Sequence, residues 1–459
     1  MRNHIGAMKR ELEDIDWTRI SSHGGYSIMR LCKGFASINY TLRCTPLDSI
    51  EPEVLHQYDA AQLDTFLKIT RLEFTREVLD QDTKNRIFLP IKDKGAGLRS
   101  VAHHHCAASI GSLCGASQAV HDILREIPNT ITEHINRARL KFTEISTILI
   151  EPENADHQQQ SILSKLINKH TISNIQNNNL KKLMESTSGA GLALFPGDYD
   201  LRVMPDEDFS AAMLVYLNLH KRINRPQHRM NLQQQCDQPH THEPINDNQH
   251  SSIVGCKYCS EATGRHNQVA NILYSAARTN GIASHKDPKR FAFNVHPVDQ
   301  NNQPVQLRQQ QQQQPVKQLE PFDIHFDIPI GNTGETKIVG YDIAVIDTLD
   351  AQQYEHMAVN EAYQSKVIAK HRKYDAVIRA YNDQHGNKLE FVPLVFSAYG
   401  AASPSAIEEI ERLYRPTKNS KLKSIVLRKI ALWILVHAGR AVRKYWGEEY
   451  GMRIPRINN

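Results

Sequence analysis

The sequence predicts a mixed α+β protein of more than one domain, largely helical in its N-terminal half and α/β towards its C-terminus. Three observations predict it. The first half carries apolar residues at helical spacing. The second carries two strand-like stretches with a glycine-rich turn between them, and a third strand after an intervening helix. The composition also shifts at Arg225, where a tract rich in Gln, His, Asn and Pro begins. At 459 residues the chain exceeds one ordinary domain, and two or three are expected.

The elements follow in order. Residues 1–90 read as helices, and over 52–79 the apolar positions Leu55, Tyr58, Ala61, Phe66, Ile69 and Leu72 keep a near-helical period. Residues 89–100, with Gly95 and Gly97, form a tight turn rather than a phosphate loop. Helices are expected over 101–119 and 121–150, and a loop or weak helix over the Asn-rich 168–179. Asp206, Glu207 and Asp208 ahead of Phe209, Met213 and Leu217 mark a helix start. Residues 226–252 should be a loop, and 298–318, with six glutamines from Gln309 to Gln314, a disordered insertion. Between them lies a helix over 265–281. Strands are expected over 322–328 and 338–346, joined as a hairpin by Gly331-Asn332-Thr333-Gly334. A helix over 352–381, a strand over 389–396 and helices over 403–413 and 421–446 complete the chain.

Composition narrows the class. Hydrophobic residues are 40% and charged residues 23%, as in a globular protein, and the net charge of +5 is compatible with a nucleic-acid partner without requiring one. The seven cysteines are odd in number and sparse, which argues against a disulfide framework and for a reducing, intracellular compartment. No apolar leader is visible at the start, and the most apolar stretch, 425–436, is too short to span a bilayer and contains Arg428 and Lys429. No membrane contact and no obligate protein partner is inferred.

The chemistry concentrates in the predicted hairpin. Asp323 and Asp342 lie in its two strands, where pairing brings them close. Two converging carboxylates repel unless a proton or cation joins them, and magnesium accepts one or two carboxylates plus phosphate oxygens. On the following helix Lys366, Lys370, Lys373 and Tyr374 share a face, where a lysine can neutralise developing phosphorane charge. The same residues also suit a solvated edge strand and a solvated helix face. Asp342 fits that reading least, because it interrupts an apolar run.

Two further clusters stand out. Cys236, His240, His242, His250, Cys256 and Cys259 lie close together in sequence. Cys236, His250, Cys256 and one more of the set, Cys259 foremost, would give zinc four ligands; a His-rich loop with incidental thiols is the alternative. By contrast, His103, His104 and His105 are consecutive on a helix, point apart and read as structural. In the C-terminal helix Arg440, Arg443 and Lys444, with Lys421, Lys423, Arg428 and Lys429 before them, are interleaved with Trp433, Tyr445 and Trp446. This suits phosphate contact or a solvated face equally.

Taken in order, Arg265-His266-Asn267, Asp323, Asp342-Ile343-Ala344-Val345, Lys370-His371-Arg372-Lys373-Tyr374, Phe391-Val392-Pro393-Leu394-Val395 and Gly400 resemble the restriction-like endonuclease region of non-LTR retrotransposons. That region is a variant of the PD-(D/E)xK nuclease fold whose lysine has moved from strand to helix, as Ala344 and Lys370 imply here. Leu31-Cys32-Lys33-Gly34, Asn39-Tyr40-Thr41-Leu42-Arg43, Asp59, the 89–100 turn and Met204-Pro205-Asp206-Glu207-Asp208-Phe209 are similar to the thumb and connector of the same elements. The resemblance covers nearly the whole chain. It implies a thumb-like region (1–100), a connector (101–225), a zinc-knuckle-like segment (226–262) and a nuclease-like domain (263–459). It further implies magnesium-dependent DNA nicking, with Asp323, Asp342 and Lys370 catalytic, Lys373 and Tyr374 assisting, and Arg265 and His266 positioning phosphate. DNA and RNA are the implied partners, and the nucleus the compartment in a eukaryotic cell. The sequence departs from the family pattern in several places. It has no Tyr-x-Asp-Asp polymerase motif, Phe322 rather than Pro precedes Asp323, and Ser397 follows Phe396 where relatives carry an acid. Those departures leave a catalytically decayed, nucleic-acid-binding remnant as the alternative.

Overall fold

A computed structural model describes residues 2–72, 76–149, 159–194, 204–219, 254, 260–286, 293–295, 317–319, 321–329, 335–354, 356–386, 388–415, 417 and 419–446. The fold is mixed α+β and mostly helical, with a four-stranded sheet and a separate strand pair. The chain divides into two compact units, residues 1–239 with 438–459, and residues 240–437. No helix among the described residues is long and apolar enough to cross a membrane.

The first unit is helical: α1 Arg2–Asp14, α2 Ser22–Ile28, α3 Phe35–Cys44, α4 Pro52–Ile69, α5 Gln81–Phe88, α6 Val101–Leu124, α7 Asn129–Ser146, α8 Gln160–Ser173, α9 Asn178–Ser186 and α10 Asp206–Tyr216. The single helix expected over 52–79 is instead broken. Arg71 takes a left-handed conformation (φ 51°), and the amides of Arg71 and Leu72 fold back to Lys68 and Leu67. This is a Schellman stop made without glycine, which is why the sequence does not announce it. Asp80 then caps the next helix by accepting from the Thr83 amide at 2.7 Å. The Asn-rich stretch 168–179 is more helical than its composition suggests. Asn168 is buried inside α8 and reaches Asp93 at 3.3 Å, a tertiary partner that outweighs its weak helix propensity.

Two buried polar groups organise this unit. Asp59 accepts hydrogen bonds from Ser100 Oγ (2.6 Å) and the amides of Val101 (2.6 Å) and Ala102 (3.1 Å), closing the N-terminus of α6. Burial pushes its carboxyl up to about 6 against the pull of those donors. Arg86 is fully buried, and burial lowers its guanidinium to about 10. It lies over the Tyr216 ring at 4.9 Å and donates to the Lys94 carbonyl at 3.1 Å and to Thr187 Oγ1 at 3.2 Å. Gly95 is squeezed into the same place, for a Cβ there would meet the Leu89 carbonyl at 2.2 Å. The 89–100 segment is thus a packed turn, as expected.

In the second unit α11 (Ser260–Thr279) precedes β1 (Ser284–His285), β2 (Phe293–Val295), β3 (Lys317–Leu319), β4 (Ile324–Pro329) and β5 (Thr336–Ile346). Then come α12 (Ala351–Tyr354), α13 (Val359–His385), β6 (Leu389–Ser397), α14 (Pro404–Tyr414) and α15 (Leu422–Trp446), whose residues from Ala438 belong to the first unit. The sheet order is β1-β4-β5-β6, antiparallel except for the parallel pair β5–β6, which α12 and α13 bridge. The expected hairpin and third strand are present, and the turn 331–334 lies outside the described residues. Two expectations need correction. The helix over 352–381 is two helices with a break ahead of Val359, and Lys317 and Gln318, placed in the disordered insertion, pair as strand with Val295 and Asn294. Backbone pairing there overrides the polar composition.

Alternation along β5 sorts its residues. Val339, Tyr341 and Ile343 pack with Val269 and Leu273 of α11 and with Ile410, Ile430 and Ile434. Ala344 and Ile346 pack instead with Ala362 and Tyr363 of α13, and Ile338 with Tyr374 and Ile378. Asp342 shares this second face with Gly340, against which the Phe322 ring is packed. A Cβ at 340 would meet Phe322 Cδ1 at 2.2 Å. Gly340→Ala should therefore destabilise the protein by about 1–3 kcal/mol, the usual cost of overpacking, read as a lowered urea midpoint.

Candidate active site

The register of the hairpin sets the site. Ile324 pairs with Tyr341 where β4 begins, and Asp323 is the residue just before it. The Asp323 amide donates to the Tyr341 carbonyl at 2.9 Å, and its carboxylate Oδ2 accepts from the Ile343 amide at 2.6 Å. Asp323 is thereby pinned against β5. Asp342 lies mid-strand between two neighbouring strands and is buried at 6% exposure.

α13 supplies the counter-charge. Its inward stripe runs Val359, Ala362, Tyr363, Val367, Tyr374 and Ile378, at helical spacing. Lys370 falls within that stripe, and its Nζ stands 2.9 Å from Asp342 Oδ1 and 2.7 Å from Oδ2. Burial raises the Asp342 carboxyl, Lys370 pulls it back, and Asp323 pushes it further up. His266 of α11 completes the group, its Nε2 3.0 Å from Asp323 Oδ1. The hydrogen bond to Asp323 raises the His266 pKa against its burial. Two acids and two bases thus form one electrostatic cluster.

The other predicted residues are placed less uniformly. Tyr374 is buried against Phe391, and its hydroxyl accepts from Lys373 Nζ at 2.7 Å. Burial first, then Asp342, raises its phenol. Lys373 itself is exposed. Arg265, expected to position phosphate, is turned inward, buried at 4% and donating to the Val254 carbonyl at 2.7 Å. Arg440 makes a two-pronged pair with Asp208 (3.0 and 2.5 Å), and Arg443 reaches Glu207 at 3.1 Å, both inside the first unit. These two arginines therefore serve intramolecular pairs. The side chain of Lys444 and all of Cys236, His240, His242, His250, Cys256 and Cys259 lie outside the described residues.

A divalent cation can be tested against these side chains. Asp342 Oδ2 is buried and, though close to Lys370, accepts no hydrogen bond. Two carboxylates with the remaining positions left to water and substrate suit magnesium. Among the described residues no group of three or more His, Cys, Asp or Glu side chains is placed to hold a metal, and Ser397, at the end of β6, is buried. The His266–Asp323 pair has no local sequence signal, because it depends on how α11 packs. Sequence reasoning likewise missed Asp347, buried just beyond β5 beside Tyr399, whose phenol burial raises and Asp347 raises further.

Two predictions follow from the charges. Lys370→Met strands a buried carboxylate and should cost about 3–5 kcal/mol, whereas Lys370→Met combined with Asp342→Asn should recover most of that loss in urea unfolding. The raised folded pKa of His266 means its pair stabilises fully below its unfolded value of about 6.5. That contribution fades as pH rises through the higher folded value. His266→Gln should therefore be more destabilising at pH about 6 than at pH about 9 by the same assay. The chain matches no known protein family, and no curated protein matches it significantly.

Proposed function

We propose that the second unit is a magnesium-dependent DNA endonuclease centre of the PD-(D/E)xK type, in a chain that corresponds to the C-terminal part of a retrotransposon reverse transcriptase. The observation that carries the reading is Asp323 held against the strand of Asp342 by the Ile343 amide, with Lys370 paired to Asp342 from the neighbouring helix. The helical origin of that lysine agrees with the resemblance, since Ala344, two residues along the same strand face, leaves the strand position without a cation.

In this reading Asp323 and Asp342 would hold magnesium. When bound, the ion polarises the phosphoryl oxygen and lowers the pKa of a bound water. Lys370 Nζ is the ammonium beside those acids and would stabilise charge developing on the phosphate. His266, 3.0 Å from Asp323 at the edge of the site, would orient that carboxylate. Lys373, exposed next to the Tyr374 hydroxyl, would meet the strand backbone as a phosphate contact.

A second reading has its own observation. Ser397 stands where the family carries a third acid, and two carboxylates alone make a sparse donor set. A decayed element that still grips DNA or RNA fits those facts.

Nicking of supercoiled plasmid decides between them. The endonuclease reading expects magnesium-dependent conversion to open circles, reduced about a hundredfold or more by Asp342→Ala and by Lys370→Met in correctly folded protein. Salt-sensitive DNA binding without any cleavage by the wild type would replace it with the remnant reading.

A further inference from the structure

The three histidines at the head of α6 are consecutive, so their side chains leave the helix about 100° apart and enter different interfaces. His104, 2% exposed, enters the packing of α3 and α8. Its ring stands edge-on to Phe35 with centroids 5.8 Å apart, and its Nδ1 lies 3.2 Å from Ser164 Oγ. His105, 3% exposed, turns back on its own helix, with Nδ1 2.7 Å from the Ala102 carbonyl and Nε2 3.3 Å from the Cys106 thiol. His103 is half-buried and lies towards His56 of α4 and His170 of α8. Cys106, next in line, belongs to the core with Ala138 and Phe142 of α7 and Leu163 and Ile167 of α8. The turn is therefore a packing element of this unit, built from groups that can take up protons.

Its surroundings oppose a positive charge. The charged and titratable groups that act on the three rings are Arg99 ahead of α6, His56 of α4, Lys141 of α7 and His170 of α8, all of them basic. Burial pushes the Cys106 thiol up to about 12, so it is neutral. Three carboxylates lie in the neighbourhood, and each acts elsewhere. Asp59 of α4 is engaged with Ser100 and the amides of Val101 and Ala102, Asp93 accepts from Asn168, and Glu144 of α7 acts on Cys106. Among the described residues no carboxylate is hydrogen-bonded or ion-paired to any of the three rings. Burial, before any charge, lowers the pKa of all three, His105 to about 4, and the basic neighbours add to it.

We propose that this histidine turn is an acid-sensitive latch: neutral, it locks α6 against the helices around it in the first unit, and protonation in mild acid releases them. The latch uses no residue of the endonuclease reading and stands apart from it. A histidine whose folded pKa lies below its unfolded value of about 6.5 binds protons preferentially when unfolded. The stability it contributes is complete above that value and is lost as pH falls towards the folded one. Asp59, raised to about 6, works in the opposite direction, because its folded form takes up a proton first. Three rings against one carboxyl leave a net uptake of about two protons on opening near pH 5.5.

Native-state hydrogen exchange of the full chain tests this, read by peptide mass spectrometry and corrected for the intrinsic pH dependence of exchange. Protection of α6, α7 and α8 should fall about a hundredfold per pH unit between about pH 6 and about pH 5. His104→Gln should reduce that dependence to about tenfold per unit. The triple substitution His103→Gln, His104→Gln, His105→Gln leaves Asp59 in place and should reverse the trend, with protection rising on acidification. Imidazole carbon NMR of the wild type gives a readout that needs no variant, since three rings should stay neutral down to the pH at which the unit opens. The latch is overturned by undiminished protection at about pH 5, by an unchanged pH dependence in folded His104→Gln, or by titration of every histidine near pH 6.5 in the folded protein.

Discussion

The second unit depends on one ion pair, Lys370 with Asp342. A carboxylate in a central strand, paired with β6 and buried on its face, is among the costliest placements a sheet can contain. It is tolerated because a parallel crossover returns the chain through α13 directly over that face, and because Lys370 falls on the inward stripe of that helix. The neighbours of Asp342 on its face are chosen accordingly. Gly340 and Ala344 are small, and the space above Gly340 is taken by Phe322 rather than by a β-branched strand side chain. Remove the lysine and the remaining packing has no other cation at hydrogen-bonding distance from Asp342 among the described residues. The strand, the crossover and the helix stripe are therefore three consequences of one electrostatic requirement.

The first unit applies the same logic with different groups. Asp59 is held by the free amides at the head of α6, and Arg86 by a tyrosine ring, a carbonyl and a hydroxyl. Buried polar groups held in this way fix one arrangement of helices more sharply than apolar contacts do, because an alternative packing would take those partners away. The arginines Arg440 and Arg443 extend the pattern. Their pairing with Asp208 and Glu207 joins the last turns of α15 to α10 within this unit, so cations read from the sequence as phosphate contacts also make ion pairs within the fold.

What the sequence disclosed follows from range. The hairpin, the third strand and the acid in β5 were legible because period-two alternation and a charge inside an apolar run are local signals. Lys370 was legible because helical spacing put it on a shared face with Lys366 and Tyr374. The break at Arg71 was not, since a left-handed arginine is decided by the hydrogen bonds that close α4. Neither was the inward turn of Arg265, whose partner is the carbonyl of Val254 and not a neighbouring side chain. The His266–Asp323 contact joins residues 57 positions apart on two elements, and nothing in either segment alone encodes it.

The composition of the cluster bears on why the endonuclease reading is preferred to a structural one. A buried ion pair usually adds less stability than apolar side chains of similar size would at the same place, because desolvation offsets most of the attraction. A fold that needed only stability would fill positions 342 and 370 with residues like their neighbours Ala344, Val367 and Ile378. Instead this face keeps an acid, a second acid held against the same strand, a lysine and a histidine, all in electrostatic contact. A divalent cation joining this quartet would make it attractive to a phosphodiester. A merely structural ion pair has no need of that second acid, and it is Asp323, pinned by the Ile343 amide against the very strand that carries Asp342, that gives the arrangement its chemical character.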